Sequence, residues 1–99
     1  MISEIECVIS GRVQLVMFRD FTKRSAIKLG LTGFVENLSD GTVHVVAQGK
    51  RTILETFIET YLKRGPTFAK VTSVAVEWTT PTESYPDFRI RFSGLFDRF

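Results

Sequence analysis

Cysteine is nearly missing from this sequence. Cys7 stands alone, so neither an intrachain disulfide nor a thiolate metal cluster can form. Its place in an apolar run suits a small buried hydrophobe better than a nucleophile. There is likewise one histidine, His44, with no second ligand candidate beside it; a structural or surface role is expected, and no metal site. Net charge is small: 13 Lys+Arg against 11 Asp+Glu leave +2. That is too little to make nucleic acid the expected partner, even with a pI near 8.9. No run approaches the ~18 consecutive apolar residues of a membrane span. Met1-Ile2-Ser3-Glu4 lacks the basic and apolar regions of a signal peptide, so a cytoplasmic setting is expected. Repeats, low-complexity runs and long linkers are also missing. One domain over residues 1–99 is expected, with a core at about 4–92 and a tail at 93–99.

What is present is periodicity. Ile5, Cys7 and Ile9 alternate with Glu6, Val8 and Ser10, the mark of a strand with one buried face. Phe18, Thr22, Ala26 and Leu29 share one face of a helix that Gly30 can end. Residues 33–38 and 43–48 read as strands joined at Asp40-Gly41, a hairpin signal. Leu54, Phe57, Ile58, Tyr61 and Leu62 then mark a second helix, with Thr52 and Glu55 spaced as a capping box and Gly65-Pro66 as its stop. Residues 71–78 and 88–92 supply two more strands. The order strand–helix–strand–strand–helix–strand makes two split βαβ units. Right-handed crossovers place both helices on one face of an antiparallel sheet, with an extra C-terminal edge strand. The fold class expected is therefore α+β, a ferredoxin-like βαββαβ sandwich.

The stretch Gly11-Arg12-Val13-Gln14-Leu15-Val16-Met17-Phe18-Arg19 lies between the first strand and the first helix. Backbone N–H groups at a helix start lack intrahelical partners, and the helix dipole adds positive potential there. Such a place attracts anions, and Arg19 adds a planar fork suited to phosphate. This loop is expected to hold a phosphoryl group. Arg19 has a plainer alternative, an ion pair with Asp20 or Glu36, and Asn37 could merely shape the following turn. Gln14 suits bracing the loop through its side-chain amide.

The same residues resemble the acylphosphatase signature Gly-x-Val-Gln-Gly-Val-x-Phe-Arg. Gly33-Phe34-Val35-Glu36-Asn37, with Gly41, Val43 and Gly49, resembles that family's second signature, and Gly65-Pro66, Ala69, Val71 and Phe88-Arg89-Ile90 its later landmarks. The resemblance implies hydrolysis of carboxyl-phosphate mixed anhydrides to carboxylate and phosphate. It implies phosphate binding by the backbone at Gln14, Leu15, Val16, Met17 and Phe18 and by Arg19, and water positioning by Asn37. No cofactor is implied, and the partner is a small-molecule acyl phosphate, with the chain expected to act as a monomer.

Leu15 stands where the family pattern has glycine. With positive φ there, leucine costs about 1–2 kcal/mol or displaces the cradle; with negative φ its side chain points out and the amide still serves. Both conformations are open to the sequence. The alternative to an active enzyme is a non-catalytic anion-binding domain whose cradle Leu15 has altered. RNA-recognition modules share this element order, but their third strand carries aromatics, and residues 43–48 have none.

Overall fold

The computed structural model describes residues 1–92. What was expected of the tail at 93–99 lies outside the described residues. The elements follow the expected order: β1 (Ser3–Arg12), α1 (Phe18–Lys28), β2 (Thr32–Asn37), β3 (Val43–Gly49), α2 (Arg51–Thr56), β4 (Lys70–Thr79) and β5 (Phe88–Arg91). They build one sheet in the order β4-β1-β3-β2-β5.

β1, β2, β3 and β4 pair antiparallel, as expected, and the α+β ferredoxin-like sandwich results. β5 departs from an all-antiparallel sheet by running parallel to β2, with Gly33 opposite Phe88 and Val35 opposite Ile90. The reason is topological. β4 and β2 run in opposite senses, so residues 80–87 cross one end of the sheet and return the chain alongside β2 in β2's own direction. Gly33 N donates to Asp87 O at 2.9 Å where that ladder begins.

Alternation sorts the two faces. Ile5, Cys7 and Ile9 of β1, with Val43, Val45 and Ala47 of β3, face the helices and are fully buried. Phe18 and Ala26 of α1 and Leu54 of α2 pack on them, together with Phe57 and Leu62. Each of the larger of these side chains, the valines, isoleucines, leucines and phenylalanines, contributes about 1.5–3 kcal/mol through apolar area removed from water. Burial also pushes the Cys7 thiol up to about 12, with Glu6 beside it adding to the shift, so the thiol stays protonated and inert. On the open face His44 bridges strands, Nδ1 lying 2.8 Å from Glu36 Oε2 and Nε2 2.8 Å from Glu6 Oε2. That is a structural tie between β3 and both its neighbours.

Helix ends show where local signals prevail. Gly30 takes φ 72° after α1, Leu31 N donates to Ala26 O at 2.9 Å and Gly30 N to Ile27 O at 3.0 Å. This is the left-handed stop expected of that glycine. α2 differs from expectation. Its N-cap is Lys50, extended at φ −67° and ψ 142°, with no side-chain cap. Thr52 therefore sits inside the first turn, two positions past the cap, too late to form the capping box with Glu55. β3 runs to Gly49, and only Lys50 separates strand from helix. After Thr56 the helix widens into a π-helical stretch, Phe57–Leu62, where Lys63 N reaches Ile58 O at 3.0 Å. No described helix is long and apolar enough to cross a membrane.

Candidate active site

β1 reaches the loop through a bulge at Ser10/Gly11. Gly11 has φ 121°, and a Cβ there would stand 2.0 Å from Lys70 O, so only glycine fits. The bulge bends the strand and delivers residues 13–17 to the end of the sheet. Val13 turns inward and is buried, anchoring the loop's near side. Gln14 anchors its far side by donating from Nε2 to Leu38 O at 2.8 Å and to Thr42 O at 2.9 Å. Both carbonyls belong to the hairpin that follows Asn37. One side-chain amide thus locks the loop onto the strand end that carries Asn37, which is the bracing role expected of Gln14.

The hairpin is itself pinned. Leu38 N donates to Thr42 O at 2.9 Å. Thr42 donates to Asp40 Oδ1 from its hydroxyl at 2.6 Å and its N–H at 3.0 Å. Those two bonds hold the Asp40 carboxyl below its ordinary range.

Leu15 and Met17 have φ 61° and φ 64°, flanking Val16. Left-handed residues at close spacing turn successive N–H groups to one side and make a concavity suited to an anion. A non-glycine residue held there carries about 1–2 kcal/mol of strain, and such strain collects at functional sites. The question left open at Leu15 is answered: φ is positive, and the side chain still points outward, 74% exposed.

Met17 is also the N-cap of α1 and offers no side-chain cap, while its carbonyl accepts from Phe21 N at 3.0 Å. First-turn amides have no acceptor within a helix, and the dipole puts about half a positive charge at that end. Arg19 lies in this first turn, only 8% exposed, with its guanidinium 5.0 Å from the centroid of the Phe92 ring. Asp20 meets Arg24 at 3.0 Å and Glu36 meets His44 at 2.8 Å.

A cleft of about 190 Å³ opens here, lined by the left-handed loop residues Leu15 and Met17, by Phe18, Arg19 and Asp20, and by Asn37 across from them. Of the residues expected to bind phosphate, Leu15, Met17, Phe18 and Arg19 line it. Gln14 braces the loop, and the Val16 side chain packs on the core. Asn37 reaches the cleft because it ends β2, and β2 sits between β3 and β5. Sequence reasoning missed Ile90 and Phe92 on the cleft wall. The signal was available: Phe88, Ile90 and Phe92 alternate on one face, and parallel pairing of β5 with β2 carries that face to Asn37.

The acylphosphatase family model matches residues 5–90. An acylphosphatase of Dehalococcoides mccartyi is 44% identical over 89 residues, covering 89% of this chain and 97% of the relative. Among solved structures, the acylphosphatase of Bacillus subtilis superposes with a TM-score of 0.87 at 36% identity, covering 91% of this chain and 99% of the other. An acylphosphatase from Coxiella burnetii gives 0.84 at 40% identity, covering 91% and 93%. A match this long on both sides, at these identities, places the chain in the acylphosphatase family.

Proposed function

We propose that the protein hydrolyses acyl phosphates, with the loop amides and Arg19 holding the phosphoryl group and Asn37 holding the attacking water. The observation that carries this reading is a shared wall: Arg19 and Asn37 line one cleft with the left-handed loop and the start of α1. The substrate, RCO–O–PO₃²⁻, brings a good leaving group. The water oxygen bonds to phosphorus, the bridging P–O bond breaks, and carboxylate departs with the bond's electron pair. The water's proton passes to a phosphoryl oxygen, so products are RCOO⁻ and H₂PO₄⁻. No strong acid or base is needed, and placement with electrostatics suffices.

Each group has a role its chemistry allows. Backbone N–H groups and a guanidinium spread their interaction over the equatorial oxygens as charge shifts. An amide side chain cannot act as a base near neutral pH, but it can accept from a water and donate to a phosphoryl oxygen at once. Burial of Arg19 limits its rotamers, so little ordering is left to do when the anion arrives. Leu15 holds φ 61° with its side chain 74% exposed, so leucine strains the loop without filling it, which favours this reading over a non-catalytic anion-binding domain. The free, buried Cys7 suits a reducing compartment such as the cytoplasm. A small soluble substrate asks for neither a nucleic-acid partner nor a second copy of the chain.

Turnover of acetyl phosphate by the native chain, beside Arg19→Ala and Asn37→Ala, tests the assignment. We expect Arg19→Ala to raise KM and the phosphate inhibition constant as well as to slow turnover. Asn37→Ala should act mainly on kcat. Full activity in either variant would remove that residue from the mechanism.

A further inference from the structure

An acyl phosphate has a second half, and it must lie somewhere once its phosphoryl group is seated on the loop. In this cleft the polar groups belong to the backbone, Arg19, Asp20 and Asn37; much of the remaining wall is apolar side chain. Leu15 and Met17 stand 74% and 69% exposed, Phe92 54%, and Ile90 is half-buried beside them. Apolar side chains this exposed, and gathered in one place, mark a surface that something covers. Fold packing does not account for Leu15 or Met17, because their left-handed backbone sends both side chains away from the core. Methionine, unbranched and polarizable, adapts to ligands of varied shape. Arg19 is the one cation among the described residues lining the cleft, and Asp20 is already paired with Arg24 at 3.0 Å. Among the described residues, a second negative charge on the acyl group would find no cation of its own.

We propose that Leu15, Met17 and Phe92 form an apolar rim that selects acyl phosphates with extended apolar acyl groups over acetyl or anionic ones. This rests on the hydrolase reading above and adds the substrate class. Leu15 thereby acquires a use that glycine could not supply at that position: it keeps the anion-binding backbone and adds a contact for the acyl chain.

The test uses straight-chain substrates, acetyl, butanoyl and hexanoyl phosphate, whose leaving groups differ little in basicity. We expect KM to fall about twofold per added methylene at an open rim, against roughly fourfold for full burial, with kcat nearly constant. Succinyl phosphate, matched to butanoyl phosphate in length but ending in a carboxylate, should show a KM about tenfold higher. The double variant Leu15→Asn/Met17→Asn isolates the side chains, because asparagine tolerates the left-handed conformation. In it the chain-length dependence should flatten. Competitive inhibition by inorganic phosphate reports separately on the cradle.

A KM independent of chain length in the native protein overturns the rim, as does a dependence that the double variant leaves intact. In both cases turnover of acetyl phosphate leaves the hydrolase reading standing. If the native chain binds inorganic phosphate but hydrolyses none of the series, the hydrolase reading fails and the rim fails with it. The native chain-length series decides the matter alone should the variant not fold.

Discussion

Replacing Leu15 by glycine should make the protein more stable, against the usual direction for losing a leucine. Leu15 holds φ 61° with its side chain 74% exposed, so little packing is lost when that side chain is removed. Relief of the left-handed conformation returns about 1–2 kcal/mol. Glycine's extra freedom in the unfolded chain takes back about 0.5–1 kcal/mol. The balance is a gain of about 0.5–1 kcal/mol, which raises Tm by about 3–6 °C in a domain this small. Leu15→Ala is the control, since it removes the side chain and keeps the strain; its Tm should stay within about 2 °C of native. Thermal melts followed by circular dichroism measure both. A lower Tm for Leu15→Gly than for Leu15→Ala would mean that residue 15 does not hold a left-handed backbone in solution, and the cradle as described would be wrong.

Other expectations follow from the same contacts. Gln14→Ala removes both bonds to the hairpin and should lower stability by about 1–3 kcal/mol, while kcat/KM falls as the loop parts from Asn37; urea melts and steady-state kinetics with no change in either would contradict the bracing role. Gly65→Ala forces a Cβ at φ 70° to within 2.9 Å of Phe18 Cε2 and should depress Tm by about 10 °C; an unchanged melt would show that the α1 start tolerates displacement. The Cys7 thiol sits at about 12 in the fold against an ordinary 9.0. The folded chain thus keeps a proton that the unfolded chain releases, and this contribution to stability, whole below pH 9, is lost as pH rises toward 12. The slope is about 1.4 kcal/mol per pH unit. Urea melts from pH 9 to 11 should fall more steeply for the native chain than for Cys7→Ala, and parallel lines would refute the burial argument.

How much of this could be read from the sequence varies with the range of the forces involved. Strand faces were legible because period-two alternation at Ile5, Cys7 and Ile9 reports burial directly. Gly30 was legible as a helix stop because a left-handed end favours glycine locally. The left-handed conformation of Leu15 and Met17 was not legible, since no side chain there prefers it. It is imposed from outside, by the bulge at Gly11 on one side and by Gln14 tied to the hairpin on the other. The parallel sense of β5 comes from where the preceding strand ends, a property of the whole sheet. Thr52 and Glu55 had the right spacing for a capping box, but β3 and the helix are separated by Lys50 alone, so the cap position fell to Lys50. In the site, the residues supplied by one continuous stretch were visible, whereas Phe92 and Ile90 arrive from the far end of the chain and needed the sheet order to be placed.

The central claim is that main-chain amides around residues 15–19 grip a phosphate. Titrating inorganic phosphate into ¹⁵N-labelled protein and following every backbone amide tests it most directly. Saturable shifts centred on Leu15, Val16, Met17, Phe18 and Arg19, with Asn37 moving in concert, are the expected result. Shifts confined to the arginines of the open sheet face, Arg89 and Arg91, or none at all at the loop, would contradict the account.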